Sequence, residues 1–396
     1  MLVLNRKEEC CGCSACMSVC PKHCIEMKDD VEGFKYPLID ESRCCKCNRC
    51  EQVCPIIHGN KEIKKEQKAF LAQNKDEIIR LQSTSGGVFS ALATSIIEEG
   101  GVVFGASMDD SYVVNHVCVS SENDLVKFRN SKYVQSNINN CFIQAKEYLN
   151  NGVKVLFSGT PCQIEGLKNY LKVESANLYC VDVVCRAVPS PLVLKKYVDW
   201  HFNKFDGQIA SLRFRDKKKY GYRFTQMEVV YKEPNIDTYY AGKESDPYLR
   251  AFFENYCDRP SCHECNFRKQ YRVSDITLWD AQDCGKICKK LDDNKGTSKV
   301  LIHSKQGNQL WKKAESKMIY YELLPDIVVD GVFEMKSSIA PNTRRGEFMD
   351  ALNMFEGNEL FDNFFPNSRI ILFKKNAKVF LSKMGIYNVV KRLVKR

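Results

Sequence analysis

Four cysteines spaced Cys10-x2-Cys13-x2-Cys16-x3-Cys20 and followed by Pro21 recur, with the same spacing and the same proline, as Cys44-x2-Cys47-x2-Cys50-x3-Cys54-Pro55. Of the 21 cysteines in the chain, 11 fall between Cys10 and Cys54. Such density marks a disulfide scaffold only in a short secreted chain. This chain has 396 residues and opens MLVLNRKEEC, too short and too soon charged for a secretory signal. Zinc sites favour paired C-x2-C units separated by long gaps and leave a doubled four-cysteine run unexplained. In the doubled run, three closely spaced thiolates wrap one iron–sulfur cubane, and the fourth, before proline, ligates the other cluster. Cys10, Cys13, Cys16 and Cys54 are therefore expected to hold one [4Fe–4S] cluster, and Cys44, Cys47, Cys50 and Cys20 a second. Cys11, Cys24 and Cys45 are left over and read as small packed hydrophobes.

Between the runs, residues 24–27 and 34–39 read as short strands around a turn at 29–33. Residues 1–60 are thus expected to form an α+β, ferredoxin-like bicluster domain. Residues 61–68, KEIKKEQK, are a charged linker or an exposed helix. From Ala69 onward strands and helices alternate. Residues 88–99 carry apolar side chains at helical spacing, as do 141–149 and the 164, 167, 171 series. Residues 101–106, 112–119, 153–157 and 178–185 read as strands. Beyond about residue 205 only 209–215 and 224–231 do so. The pattern predicts a larger α/β domain with a mixed sheet over 69–340. No run approaches the roughly 18 apolar residues of a membrane span, and the protein is expected in the cytoplasm.

Two turns stand where phosphate-binding loops usually stand. Ser83-Thr84-Ser85-Gly86-Gly87 opens the helix at Val88, where free N–H groups and a positive dipole end are available. The strand at 153–157 runs into Ser158-Gly159-Thr160-Pro161-Cys162-Gln163, with Thr160 and Gln163 as a capping box and proline at the first helical position. Cys162 then lies in the first turn, where the dipole favours its thiolate. Either turn could equally be no more than a capped helix. No G-x-G-x-x-G fingerprint occurs, so a standard Rossmann nucleotide site is not indicated. A third cysteine group follows: Cys257, Cys262-x2-Cys265, Cys284 and Cys288. Together with Cys162 and Cys185 it offers enough thiols for a further cluster, for a zinc site, or for free packed cysteines.

The conjunction of two ferredoxin runs with STSGG, SKYVQS, GTPCQIEGL, a VPSP element and SCHEC…SDITLWD resembles the coenzyme F-420 hydrogenase/dehydrogenase beta-subunit family over residues 1–340. The resemblance implies an FAD-binding α/β domain, often with its own [4Fe–4S] cluster. It places Thr84, Ser85, Gly86, Gly87, Ser131, Lys132, Tyr133, Gly159, Thr160, Pro161 and Gln163 along the flavin. It makes Cys162, Cys185, Cys262 and Cys265 the ligands of a third cluster, with Cys257 in reserve. The chain departs from the family in having Arg186 and Ala187 where C-H-G-V-P-S is usual, and Trp279 where glycine commonly precedes Asp280. Iron–sulfur clusters pass single electrons whereas deazaflavins move hydride, and a flavin converts between the two.

The function expected is a flavin and iron–sulfur oxidoreductase passing electrons between clusters and, through FAD, a two-electron partner. The alternatives are an electron-transfer subunit serving a partner protein, such as one in polysaccharide biosynthesis, and a redox-sensing scaffold. Residues 341–396 are expected to be a helical basic tail. After Asp362 nine basic residues and no acidic one follow, which accounts for nearly all of the net charge of +10. Interleaved with Ile370, Phe373, Phe380, Ile386 and Leu393, they suit an anionic membrane surface or an acidic partner. Nucleic acid is not expected, since no recognition motif accompanies the charge.

Overall fold

The computed structural model describes residues 4–172 and 174–384. The chain opens with the cysteine-rich head. Strands β1 (Ile25–Asp29) and β2 (Lys35–Ile39) pair as an antiparallel hairpin. Short helices Ala15–Val19 and Arg49–Gln52 carry the ends of the two cysteine runs. The sequence repeat is also a backbone repeat. Gly12 (φ 71°) and Ser14 (φ 63°) are matched by Lys46 (φ 51°) and Asn48 (φ 57°), all left-handed. Such alternation turns successive N–H groups into a concave, anion-accepting nest, and it is sustained here at non-glycine positions that resist it.

Residues 61–67 form neither helix nor strand. The segment is a strap: Glu62 accepts from the backbone of Gln270 (2.8 Å) and Tyr271 (2.9 Å), and Lys65 donates to the Arg272 carbonyl (2.7 Å). Of the two readings, linker or exposed helix, the structure has the linker, with its polar side chains spent on this docking.

The remaining strands are β3 (Lys68–Asn74), β4 (Val102–Met108), β5 (Val114–Val119), β6 (Val155–Gly159), β7 (Leu178–Val183), β8 (Ile209–Asp216), β9 (Gln226–Tyr231), β10 (Tyr239–Ala241), β11 (Ile276–Asp280), β12 (Ser298–Ile302) and β13 (Met318–Leu323). An eight-stranded sheet has the order β13-β3-β12-β11-β7-β6-β4-β5. Its centre, β11-β7-β6-β4, is parallel, and β12, β13 and β5 run antiparallel to their neighbours. The expected mixed sheet is therefore present. Both faces are covered, as a parallel centre requires. Leu156 and Val103 face the helices Val88–Glu98 and Lys305–Ala314, while Val155, Phe157 and Phe104 face Phe142, Ile164 and Leu167.

Strands β8 to β10 make a separate antiparallel sheet packed with the helix Pro191–Phe205. Phe348, Leu360, Phe361 and Phe365 are buried in this same core with Tyr197 and Trp200. The boundary expected at 341 thus falls inside a packed unit that runs on to Phe365. From there the helix Arg369–Lys383 carries exposed Ile370, Phe373 and Phe380. The part of the basic tail at 385–396, including Ile386 and Leu393, lies outside the described residues.

Candidate metal centres

The structure brings the two crossed sets of cysteines together, each around its own cavity. Cys10, Cys13, Cys16 and Cys54 line one cavity, closed by Met27 and Pro37. Cys20, Cys44, Cys47 and Cys50 line another, closed by Ile25 and Ile39. The head folds so because each short helix takes the last cysteine of its run across to the opposite cavity. Cys24 and Cys45 also line the second cavity, with the Cys24 sulfur 3.4 Å from that of Cys20.

A third cavity is lined by Cys162, Cys185, Cys262 and Cys265, the four thiols implied by the family resemblance. Cys162 opens the helix Pro161–Leu171, whose Thr160–Gln163 capping box is formed (Thr160 N–H to Gln163 Oε1, 2.9 Å). Strand β7 ends at Val183 rather than 185, which frees Cys185 to turn into the cavity. Cys262 lies on a one-turn helix and Cys265 just beyond it. The reserve cysteine, Cys257, is elsewhere, fully buried in the aromatic core with Tyr248 and Phe252. Cys284 packs against Leu71 and Leu291.

Cys11 is more than the packed hydrophobe its sequence position suggests, for it lines both the first and the third cavity. Its hydrogen bond with Cys162, and then burial, hold the Cys162 thiol well above its usual value. The neighbouring thiol and desolvation thus oppose the pull of the helix dipole on this side chain. Gly166, one turn along the same helix, lies against Cys13, where an added Cβ would sit 2.9 Å from the sulfur. One helix therefore abuts two cavities.

Among the described residues no three His, Cys, Asp or Glu side chains converge closely enough to hold a single metal ion. Each cysteine set surrounds a space instead. That arrangement suits a cubane, whose irons each take one thiolate.

The residues assigned to flavin lie along the carboxyl ends of β3 and β6. Thr84 Oγ1 accepts from the Ser131 N–H (2.7 Å), and Gln163 Nε2 donates to Ser136 Oγ (3.0 Å), so the stretch 131–136 links the two turns. Gly86 is required by close packing, since a Cβ there would lie 2.3 Å from the Ala72 carbonyl. Gly87 caps the helix with φ 76°. Ser85 shares a hydrogen bond with Ser298 (2.8 Å). Tyr133 packs on Phe252 and accepts from Arg215 (3.0 Å), which also pairs with Asp280 (2.8 Å). Lys132 donates to the carbonyls of Lys127 (2.7 Å) and Arg129 (3.1 Å). Sequence reasoning does not find Lys217, which follows β8 and donates to the Ser85 carbonyl (2.5 Å). Burial pushes the Lys217 ammonium down to about 7. A basic residue in a polar loop gives no sequence signal of burial.

Fold and cavities together define an iron–sulfur protein with a ferredoxin-type head on a mixed α/β domain. Comparison with known families agrees: a 4Fe-4S dicluster domain matches residues 9–56. The coenzyme F420 hydrogenase/dehydrogenase beta subunit matches by its N-terminal part over 69–142 and its C-terminal part over 152–325. The chain belongs to this coenzyme F420 hydrogenase/dehydrogenase beta-subunit family. Among solved structures, a chain of the F420-reducing [NiFe] hydrogenase complex from Methanosarcina barkeri, studied by xenon derivatization, is 18% identical. The match covers 77% of this chain and 91% of that one, with a TM-score of 0.45. No curated protein sequence matches the chain. Among the described residues no helix is long and apolar enough to cross a membrane.

Proposed function

We propose that this is a cytoplasmic oxidoreductase that moves electrons between three [4Fe–4S] centres and, through FAD, a two-electron partner of the deazaflavin kind. The observation that carries the reading is the contiguity of the cysteine cavities: Cys11 lines two of them, and the helix Pro161–Leu171 touches both. The ligands are Cys10, Cys13, Cys16 and Cys54; Cys20, Cys44, Cys47 and Cys50; and Cys162, Cys185, Cys262 and Cys265.

Flavin supplies, when bound, the conversion between single-electron and hydride chemistry. The chain's own residues suit an anionic ligand beside the STSGG turn. Lys132 and Lys217 have no carboxylate within ion-pair distance among the described residues, and each is held on backbone carbonyls. Burial pushes both ammoniums down to about 7, and an anionic ligand beside them would favour their charged forms and accept their hydrogen bonds. Thr84, Ser85, Gly86, Gly87, Ser131, Tyr133, Gly159, Thr160, Pro161 and Gln163 form the surrounding surface. Lys132, Lys217 and the N-terminus of the helix Val88–Glu98 orient the phosphates, and Tyr133 with Phe252 excludes water.

Iron and flavin assays on protein purified without oxygen test the proposal. About twelve irons, at about four per cubane, and one FAD per chain are expected. Iron near eight removes the third centre from the reading. Absence of flavin leaves a relay that serves a partner protein directly.

A further inference from the structure

Arg259 is the largest fully buried side chain among the described residues, 1% exposed. Its guanidinium donates to the carbonyls of Cys10 (2.8 Å, from Nε) and Lys35 (3.0 Å) and to Gln135 Oε1 (3.3 Å). It lies over the Tyr36 ring, 4.2 Å from the centroid. Among the described residues no carboxylate comes within ion-pair distance of it. A buried cation without a counter-ion is costly, and carbonyl dipoles with the ring faces of Tyr36 and, at 5.4 Å, Phe34 offset only part of that cost.

The position of the charge supplies the missing partner. On one side Arg259 lies behind the first cysteine loop: a Cβ on Gly12 would be 3.1 Å from its Nη1 and 3.2 Å from Cζ. On the other it lines the third cavity beside Cys162 and Cys262. Glycine in Cys10-Cys11-Gly12-Cys13 suits its left-handed φ of 71° and the close approach of Gln135 Nε2, 2.6 Å from an added Cβ, with the guanidinium just behind it. When four thiolates bind a cubane their charge outweighs that of its core, so each centre is anionic and gains one more negative charge on reduction.

We propose that Arg259 is a positioning residue that couples two iron–sulfur centres, its single positive charge lying between the Cys10–Cys13–Cys16–Cys54 and Cys162–Cys185–Cys262–Cys265 sites and stabilising the reduced form of both. The inference rests on the proposed cluster reading. Arg268 is a built-in contrast. Both arginines line the third cavity, but Arg268 makes no contact with the first cysteine run: it donates to the carbonyls of Cys185, Arg186 and Glu334 and leaves its Nε without a partner. Arg272, also at that cavity, already has a carboxylate, Asp182 at 3.3 Å.

The test is a spectroscopically monitored redox titration of the full chain, purified without oxygen, for the native protein, Arg259→Gln, Arg259→Lys and Arg268→Gln. In Arg259→Gln the reduction equilibrium of both centres should fall at least tenfold, about 59 mV for one electron. Arg259→Lys should stay near native, and Arg268→Gln should move the third centre alone. A fully loaded Arg259→Gln protein with native potentials overturns the inference. If Arg259→Gln loses iron, the lysine variant decides. Retention of iron by Arg259→Lys supports a charge role, because lysine cannot reproduce the three-point hydrogen bonding. Equal loss in both makes Arg259 a structural clamp and overturns the proposal. Native protein without clusters would instead defeat the underlying reading.

Discussion

Replacing Gly166 by alanine puts one methyl group where the relay is most tightly packed. Gly166 is in the interior of the helix Pro161–Leu171, and the added Cβ would lie 2.9 Å from both Cβ and Sγ of Cys13. Two effects compete. Alanine in a helix interior gains about 1 kcal/mol over glycine. Overpacking a filled core costs about 1–3 kcal/mol, and Cys13 has little freedom to retreat, since its Cβ is fixed to the cysteine loop. The clash should win by up to about 2 kcal/mol after the propensity gain. Gly346 is the control, for it lies in the helix Arg345–Ala351 with nothing within 4 Å of the place an added methyl would take. Gly346→Ala should stabilise by a few tenths up to about 1 kcal/mol. Urea midpoints and iron content, compared between the two variants, read the difference. Gly166→Ala should unfold earlier and lose iron from the Cys13 site. If it proves as stable as Gly346→Ala with full iron, the close approach of helix and head is refuted.

Further outcomes can be checked directly. Cys20→Ala should empty the site of the second run, and Cys54→Ala that of the first, each lowering iron by about four per chain; Mössbauer or EPR spectra identify which signal is lost. Lys217→Ala should weaken FAD binding at least tenfold by equilibrium dialysis, because a buried cation at the STSGG turn is removed, and unchanged affinity would take the phosphates elsewhere. His116, whose Nε2 lies 3.0 Å from the Ser158 carbonyl oxygen, is pushed down to about 4 by burial. The unfolded chain binds its proton near pH 6.5, so stability should fall by about 1 kcal/mol between pH 7.5 and 5.5 through this group, and His116→Gln should show a correspondingly smaller drop in urea titrations. Co-sedimentation with anionic vesicles should be stronger for the whole chain than for one ending at Phe365, given exposed Ile370, Phe373 and Phe380; equal, negligible binding returns the tail to an ordinary solvated helix.

The head is legible in the sequence because its ligands are local. Three cysteines of each site fall within one turn-sized segment, and the fourth is announced by its proline. The third cavity is only partly legible, for its thiols come from four separate places: a helix start, the end of β7, a one-turn helix and the loop after it. Their convergence is set by strand order, which spacing does not encode. Cys257 and Cys262 look alike in sequence, yet one lies among aromatic rings and the other in the cavity. Strands β11 and β12 give no clear strand signal because they mix buried polar residues such as Thr277, Ser298 and Lys299 with apolar ones, and β13 because it is an edge strand exposed along most of its length. The strap at 61–67 is legible as a linker but not as a docked one, since the partners of Glu62 and Lys65 lie more than 200 residues away.

Arg259 explains why the head and the α/β domain form one object. Its guanidinium holds the carbonyls of Cys10 and Lys35 in the head, while its backbone N–H donates to Val188 (2.9 Å) beside the third cavity. Arg345 repeats the device, pairing with Glu32 (2.8 Å) and donating to the Asp258 carbonyl (2.8 Å). A freely tethered head could reach many partners but would meet the third cavity only transiently. Buried Arg259 and half-buried Arg345, which hydrogen-bond across the junction, a glycine that admits Cys13, and a cysteine shared between two cavities all fix one separation and one orientation. Under the proposed reading, this fixed junction would let electrons pass between the head and the cavity of Cys162, Cys185, Cys262 and Cys265, which shares Cys11 with the first cavity of the head.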